Sequence, residues 1–329
     1  MYNLEKLYTK LIKFKIKNNI NFNIQLYNIK NIKIINTSFI PNNIYNYIKK
    51  YCKYMFKTNY YYNNYKISIK YYSNNNNINI IKKIIKNIIQ RCIFMFQITN
   101  IYKNINIKIY DTPYKKNLPC YKCNKILTEN NINSGLSYDN NIIIFRNEEL
   151  LKVLIHELIH ILDIDCKDEN YIHKKNILNY FNINELLINE SYVETWAIII
   201  NIYIVLYNKY KTNFSFDKFK KYFIKELTFN LKQCNKLFHF YNITNIKNSN
   251  INDKINIFSY ILLKTYNLLY INIFLKKYMD KKNYIIKQTY DFQKYNNYLY
   301  NLIKKNKLKK TFLNNYKYNT LSMRMSIIK

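Results

Sequence analysis

Glycine and proline are almost missing from this sequence of 329 residues, which contains one glycine and three prolines. This scarcity excludes a collagen-like chain and a Gly/Pro-rich linker. Aromatic residues account for 17% of the chain and apolar residues for 49%, so low-complexity disorder is also excluded. The length is sufficient for one large domain, or for two or three smaller units, with a buried core.

Acidic residues and arginine are also scarce. The chain has 53 lysines and arginines against 19 aspartates and glutamates, a net charge of +34, and its only arginines are Arg91, Arg146 and Arg324. Lysine, asparagine, isoleucine and tyrosine dominate instead, a bias typical of an A+T-rich coding sequence. Because nucleic-acid-binding surfaces more often use the planar fork of arginine, we attribute the lysine excess to this bias. No specific nucleic-acid partner is predicted, although the charge implies a general attraction to polyanions.

No long hydrophobic run is present. The first residues lack the continuous apolar core of a signal peptide, and the apolar stretch at residues 196–207 is too short to span a bilayer. Residues 257–275 carry Lys264 and two asparagines, so we interpret them as a buried amphipathic helix. The six cysteines are dispersed, which favours a reducing compartment. We therefore expect an intracellular, cytoplasmic protein without a membrane span, or a virion protein if the chain is viral.

Alternating and helical patterns divide the chain into strands and helices. Residues 66–70 and 105–109 alternate between polar and apolar side chains, as half-buried strands do, and residues 78–98 carry isoleucines at helical spacing. The apolar run at 141–145 predicts a further strand. Asn147 then predicts a helix N-cap, with Glu148 and Glu149 in the positive first turn. Strands are also expected within residues 21–40, a helix at 44–56, and helices after about residue 210.

Residue types that are rare in this chain cluster within residues 135–197, which contain Gly135, Val153, Val193, Trp196 and Ala197. In a sequence with this bias, such residues indicate where constraint is strong. Ten of the 19 acidic residues lie between residues 148 and 194, which is consistent with a cation-binding cleft. Within that group we interpret four as helix-capping or loop carboxylates: Asp163, Asp165, Asp168 and Glu169.

His156, Glu157 and His160 form an H-E-x-x-H pattern in the predicted helix. The spacing places both imidazoles one turn apart on the same helix face, where they can reach one Zn²⁺. Glu157 lies beside the first ligand, where its carboxylate can take a proton from zinc-activated water. These three are the only polar side chains between residues 153 and 162, and burying them without a shared purpose would be costly. The pattern therefore predicts a zinc site with Glu157 as general base.

A third metal ligand is expected about 30 residues downstream, where Glu190 and Glu194 share one face of a predicted helix with apolar neighbours. Together with H-E-x-x-H, this Asn-Glu-x-x-x-acid arrangement resembles the gluzincin branch of the zincin metalloproteases. The resemblance implies that Glu190 is the third ligand and that Glu194 accepts a hydrogen bond from a ligand histidine. The reversed assignment, with Glu194 on the metal, stays open. A Cys166 thiolate is a further alternative.

The segment before the predicted zinc helix carries a second resemblance. Residues 105–119, the sequence Asn133-Ser134-Gly135-Leu136 and residues 142–149 resemble a family of uncharacterised zincin-like proteins of large DNA viruses. The resemblance covers about residues 100–205 and implies a zincin fold and a metalloprotease assignment. It also implies that strand 141–145 is the edge strand lining the cleft, where a substrate backbone can pair. Gly135 is then expected to supply a turn conformation that other residues avoid.

A tyrosine or a histidine is expected to share the developing oxyanion with the metal. His239 is a candidate, although its apolar neighbours are more typical of a structural position, and none of the 37 tyrosines can be singled out. Cys120 and Cys123 form one C-x-x-C pattern, which we interpret as two free loop thiols. A local disulfide, or half of a metal site completed by Cys92 or a partner chain, is the alternative.

These features predict an α+β protein with a zincin-like core, in which a small mixed β-sheet packs on the H-E-x-x-H helix, followed by a mainly α-helical C-terminal subdomain. The expected boundaries are an N-terminal extension at residues 1–58, a catalytic core at 59–210 and the helical subdomain at 211–329. The expected function is that of a zinc metalloendopeptidase of gluzincin type, with Zn²⁺ as cofactor and a peptide or protein substrate. The alternatives are a catalytically idle zincin-like binding or virion structural module, and a basic nucleic-acid-associated protein.

Overall fold

The computed structural model of the protein describes residues 1–34, 39–119, 127–165, 171–183, 186–241, 243, 257–280, 285–286, 291–305 and 321–328. Within these ranges, one mixed β-sheet is combined with helices that dominate the chain after residue 144. The predicted α+β class and the helical character after about residue 210 are confirmed. The finer prediction of a zincin-like core stays a prediction.

The β-sheet has six strands in the order β1-β2-β3-β4-β6-β5. The pairs β3–β4 and β4–β6 are parallel, and the other three pairs are antiparallel. The parallel β3–β4 pair is joined by a long helix, as a parallel crossover requires. The strands are β1 (Gln25–Asn28), β2 (Tyr54–Tyr62), β3 (Tyr65–Ser73), β4 (Ile105–Tyr110), β5 (Gly135–Tyr138) and β6 (Asn141–Ile144).

Eleven α-helices and one π-helical segment accompany the sheet in the described part of the chain. The first six helices are α1 (Tyr2–Leu11), α2 (Asn42–Tyr51), α3 (Ile78–Thr99), α4 (Glu129–Ile132), α5 (Leu150–Ile161) and α6 (Tyr171–Phe181). The later elements are α7 (Asn189–Tyr210), α8 (Phe216–Phe240), the π-helical segment (Phe258–Leu263), α9 (Lys264–Leu269), α10 (Ile271–Tyr278) and α11 (Phe292–Lys305).

Helix α3 shows how local sequence sets the boundaries of an element. The side chain of Asn77 accepts hydrogen bonds from the backbone N–H groups of Asn79 and Ile80, which caps the first turn. Asn100 ends the helix in the left-handed conformation, with φ of 55°. Between these caps, Ile81, Ile85, Ile88 and Ile89 are buried in the core, so the helix predicted at residues 78–98 is confirmed.

The start of α5 differs from the prediction. The helix begins at Leu150, and Asn147 lies in the turn before it. Glu149 adopts a left-handed φ of 61°, and its carboxylate pairs with the Nζ atom of Lys116 at 2.7 Å instead of capping the helix. The N-cap predicted at Asn147 is therefore wrong. The carboxylate of Glu149, which local sequence assigns to the first turn of the helix, forms a long-range ion pair with Lys116 instead.

The predicted N-terminal elements are also shorter than expected. Helix α2 ends at Tyr51, and the chain enters β2 at Tyr54, so the helix expected at residues 44–56 does not reach its predicted end. The boundary predicted after residue 58 falls within β2, which pairs with β1 and β3 in the same sheet. The boundary predicted after residue 210 coincides with the end of α7.

Residues 257–275, expected as one amphipathic helix, form the π-helical segment, α9 and the first part of α10. Among the described residues, none of the helices taken singly has the length and apolar character needed to cross a bilayer. One pair of helices bent by 93°, Phe258–Leu269 and Ile271–Tyr278, meets that criterion by length and composition.

Helices α5 and α7 lie at the centre of the structure. Helix α5 packs against α7, α3, β5 and β6. Helix α7 is buried from Asn189 to Ile204, and Trp196 and Ala197 are fully buried within it. The two helices are therefore surrounded by packed side chains, which hold their facing residues in defined positions.

Replacing Ile85 with alanine is expected to lower the free energy of unfolding by about 2–5 kcal/mol, because the substitution leaves a cavity in the core. The matched control is Ile80→Ala in the same helix, where the side chain is 47% exposed rather than fully buried. This control is expected to change stability by no more than about 0.5 kcal/mol. Urea unfolding of both variants measures the difference, and equal effects would contradict the packing of α3.

Candidate metal centre

Three side chains from α5 and α7 converge on one point. His156 and His160 lie one turn apart on α5, and Glu190 lies in the first turn of α7. The Nε2 atoms of the two histidines are 3.1 Å apart. Oε2 of Glu190 lies 3.2 Å from Nε2 of His156 and 3.7 Å from Nε2 of His160. The structure thus brings together the three residues that the sequence predicts as metal ligands, in a group that could hold a metal ion.

The spacing of these three atoms suits a tetrahedral ion. Two ligand atoms bound at about 2.0–2.1 Å with tetrahedral angles lie about 3.3 Å apart. The observed separations of 3.1, 3.2 and 3.7 Å lie around this value. Three ligands of this kind leave the fourth corner of a tetrahedron open, which is the arrangement of catalytic rather than structural zinc sites.

The carboxylate of Glu190 is buried beside both imidazoles. Glu190 is only 8% exposed, and its Oε2 atom lies 3.2 Å from Nε2 of His156. Burial raises the pKa of this carboxyl group, but the adjacent imidazoles of His160 and His156 more than offset it and hold the pKa below its usual range. An ionised, buried carboxylate needs a positive charge beside it, which protonated imidazoles supply in the metal-free protein and a bound metal ion would supply in their place.

Each histidine is oriented from behind by a carboxylate. Nδ1 of His160 is 2.7 Å from Oδ2 of Asp165, and Nδ1 of His156 is 2.9 Å from Oε1 of Glu194. A carboxylate at Nδ1 fixes the ring so that the Nε2 lone pair faces the metal. Asp165 lies in a loop, as interpreted from the sequence, but its contact with His160 was not predicted. Its position five residues after His160, in the turn that ends α5, was the available signal.

Glu194 has other charged partners, and these partners favour Glu190 over Glu194 as the third ligand. Its carboxylate forms a buried ion pair with Lys152 of α5, and its Oε2 atom is 3.7 Å from Nζ of Lys264. Burial raises the pKa of Glu194, but Lys152, His156 and Lys264 together hold it well below the usual range. The geometry therefore favours Glu190 as the third ligand, with Glu194 behind His156.

Glu157 lines a small cleft beside the three candidate ligands, together with His156, Tyr260 and Gly135. Gly135 lies in β5, and an added Cβ atom would come within 2.9 Å of Oε1 of Glu157 and 3.1 Å of the carbonyl oxygen of Ile143. Gly135 does not adopt a positive φ, so the predicted turn role is wrong. A side chain at position 135 would fill space that Glu157, the candidate general base, needs.

The edge strand beside the cleft is β5 and not the predicted strand at 141–145. Strand β6 lies between β4 and β5, so both of its edges are paired. The sequence analysis missed β5 because Gly135–Tyr138 is only four residues long and lacks an apolar run. The only local signal was Gly135, because a single glycine in a glycine-poor chain indicates a position where the backbone closely approaches another group.

Tyr260 is the candidate aromatic donor near the three ligands, which the sequence alone does not distinguish among 37 tyrosines. It lies in the π-helical segment, lines the same cleft, and its ring centroid is 6.2 Å from that of His156. Burial raises the pKa of Tyr260, and the carboxylates of Glu190, Glu157 and Glu194 raise it further, well above its ordinary value. The hydroxyl group therefore keeps its proton and can act as a hydrogen-bond donor.

The structure does not bring His239 to the site. The residue is exposed near the end of α8 and is not among the described residues that line the cleft. Cys92 is a buried free thiol. Cys120, Cys123 and Cys166 lie outside the described residues, so their predicted roles stay predictions.

Comparison of the chain with known proteins found no relative. No protein-family model matches the chain, and neither a curated protein nor a solved structure matches it. The resemblance to gluzincins and to zincin-like proteins of large DNA viruses therefore stays a prediction that rests on the motif residues.

The purified protein is expected to bind about one divalent ion per chain, and Glu190→Ala is expected to weaken binding because it removes one of three ligands. Glu157→Gln should retain the ion, since Glu157 is not a ligand. Elemental analysis and Zn²⁺ titration of folded protein measure both, with the exposed residue Glu5, changed to alanine, as a control. Normal binding by Glu190→Ala together with lost binding by Glu194→Ala would reverse the ligand assignment.

Metal affinity is expected to rise with pH. Burial by itself lowers the pKa of both histidines. In the metal-free protein, the surrounding carboxylates outweigh burial and raise each pKa above its ordinary value, and Glu190 acts on both rings. The imidazoles must lose these protons before they can bind a metal, so binding releases protons and strengthens as the pH passes the raised pKa values. Calorimetric Zn²⁺ titrations at several pH values, in buffers of different ionisation enthalpy, test this. An affinity that does not change with pH would contradict it.

Proposed function

We propose that the protein is a zinc-dependent metallopeptidase that hydrolyses peptide bonds with Glu157 as general base. The observation that carries the proposal is the convergence of His156, His160 and Glu190 on one point, with Glu157 and Tyr260 lining the cleft beside it. Ligands, base and proton donor thus occur together, as a hydrolytic metal site requires.

The donor set supports zinc as the metal. Two imidazole nitrogens and one carboxylate oxygen form a set found in catalytic zinc sites. When bound, Zn²⁺ polarises the scissile carbonyl group and lowers the pKa of water. The histidines hold the ion through Nε2, while Asp165 and Glu194 keep the two rings in position from Nδ1.

Glu157 moves the proton in this proposal. Its carboxylate accepts a proton from the attacking water and passes it to the amine of the leaving peptide. Gly135 leaves room for the carboxylate, and the closely packed strand behind it limits where the side chain can go. Such positioning matters because a misplaced base loses most of its effect.

Tyr260 stabilises the charge that develops on the substrate. Because burial and the nearby carboxylates keep the phenol protonated, its hydroxyl group can donate a hydrogen bond to the oxyanion. The substrate itself would be an extended peptide, whose backbone can pair with the free edge of β5 next to Gly135.

Two observations weigh against the alternatives. A binding module without catalysis has no use for Glu157, a carboxylate that is 5% exposed and contributes no ligand atom to the group of three. A nucleic-acid function rests on the net charge alone, and the compositional bias already accounts for that charge.

The proposal is tested by incubating the Zn²⁺-loaded chain with a mixture of peptides and identifying the products by mass spectrometry. Glu157→Gln is expected to lower kcat by about 10²–10⁴-fold while retaining the metal, because it removes general-base catalysis. Tyr260→Phe is expected to lower kcat by about 10²–10³-fold with little change in KM, because it removes an oxyanion donor.

Two conservative variants serve as controls. Glu5→Gln and Tyr270→Phe make the same chemical changes at positions that do not line the cleft, and both are expected to retain the wild-type kcat. Peptide hydrolysis at the wild-type rate by Glu157→Gln would rule out the proposed mechanism. A folded, Zn²⁺-loaded wild-type chain that cleaves no peptide would rule out the function.

A further inference from the structure

The cleft in front of Glu157 is too small for a substrate. Its volume is about 50 Å³. Binding sites for organic ligands usually measure about 300–1,000 Å³. If the proposed function is correct, part of the wall must therefore move before a peptide can reach Glu157.

Most of the wall belongs to regular structure. Val153, His156 and Glu157 belong to α5, Gly135 to β5, and Tyr260 to the π-helical segment. None of these residues can leave without breaking a helix or a sheet edge.

Four of the described residues that line the cleft lie outside helices and strands: Lys116, Asn133, Ser134 and Met325. Lys116 pairs with Glu149, and Asn133 and Ser134 directly precede β5. The fourth is Met325. It belongs to residues 321–328, which form no helix or strand and which we call the 321–328 strap. The strap has one isolated antiparallel bridge, between Ser322 and Asn117, supported by bonds from Leu118 N to Leu321 O and from Met323 N to Lys116 O. Beyond Met323, no backbone ladder holds the strap within the described chain.

Buried charged side chains hold the rest of the strap. The carboxylate of Glu149 accepts the backbone N–H groups of Met325 and Ser326, the former at 3.0 Å. Glu226 accepts those of Ile327 and Ile328, at 3.0 and 2.8 Å. These bonds anchor the strap's backbone through side chains of other parts of the chain, without making the strap part of a helix or a sheet.

A second anchor links the strap to the metal centre. Nζ of Lys264 donates to the carbonyl oxygen of Met325 at 3.1 Å and lies 3.7 Å from Oε2 of Glu194. Glu194 in turn contacts Nδ1 of His156. The position of the strap is therefore connected by direct contacts to the carboxylate behind one candidate ligand.

The strap also borders a larger cavity of about 590 Å³. Ser322, Arg324 and Ile328 of the strap line that cavity, whereas Met325 lines the cleft, and Lys152 lines both. The strap therefore contributes side chains to both spaces.

We propose that the 321–328 strap is a built-in competitor of the substrate, which closes the metal site by placing Met325 in the cleft and must move before a peptide binds. This proposal rests on the proposed peptidase function for its biological meaning. The closure of the metal site can be measured without any peptidase activity.

The first test compares Met325→Ala with Met323→Ala in the Zn²⁺-loaded full chain. Both residues are buried methionines of the same strap, but only Met325 lines the cleft. Met325→Ala is expected to release Zn²⁺ to a chelator at least about tenfold faster than the wild type, the factor that corresponds to about 1.4 kcal/mol. Met323→Ala is expected to match the wild-type release rate, and thermal unfolding of both variants separates local opening from global loss of stability.

The second test weakens the attachment of the strap at a residue outside the cleft. Glu226→Gln weakens the anchor of Ser326, Ile327 and Ile328, although Glu226 does not line the cleft. It should therefore speed both Zn²⁺ release and peptide hydrolysis. Asp217→Asn makes the same type of change at an exposed position of the same helix and is expected to have no effect.

Two results would overturn the proposal: equal Zn²⁺ release by Met325→Ala and Met323→Ala, or unchanged release in Glu226→Gln. If Zn²⁺ release differs as expected while no variant cleaves a peptide, closure by the strap stands and the peptidase function fails. If peptides are cleaved and all variants behave alike, the function stands and the strap proposal fails.

Discussion

The packing of α5 against α7 is the contact on which the metal centre depends. Helix α5 supplies two imidazoles and a carboxylate, but it cannot place a third ligand opposite them. Helix α7 does so because its first turn lies against the histidine face of α5, and its buried length, including Trp196 and Ala197, holds it there. A shift of either helix by a fraction of a turn would separate Glu190 from the Nε2 atoms, so the packing of these helices serves the chemistry as well as the core.

Charge balance around the centre explains why a strongly basic chain can hold a cation. Asp165, Glu190 and Glu194 contact the two histidines and Glu157 lines the cleft beside them, while Lys152 and Lys264 lie near Glu194 as buried cations and Lys116 is paired with Glu149. With neutral imidazoles, these groups leave two negative charges, which a divalent cation balances. The lysine excess elsewhere in the chain does not reach the centre, because buried carboxylates dominate the field at short range.

The 321–328 strap shows that distant parts of the chain share one buried polar network. Glu149 was expected in the first turn of a helix, yet its carboxylate, like that of Glu226, binds backbone N–H groups more than 100 residues away. A carboxylate removed from water needs such donors, since an unpaired buried charge is costly. The network thus joins the start of α5, the middle of α8, and the strap into one unit beside the cleft, and Lys264 extends it to Glu194.

Local features of the sequence determined the core of the site. The four-residue spacing of His156 and His160 fixes their common face wherever the helix lies, and Glu190 could be proposed because Glu190 and Glu194 also share a helix face. The strand and helix patterns at residues 66–70, 78–98 and 105–109 likewise depend on near neighbours, and the structure has these elements. Only the tertiary structure shows that Glu190 and not Glu194 lies with both Nε2 atoms, that Asp165 contacts His160, that Tyr260 lines the cleft, that Gly135 leaves space for Glu157, and where Met325 lies. Each of these depends on contacts between residues far apart in the chain, which residue spacing does not encode.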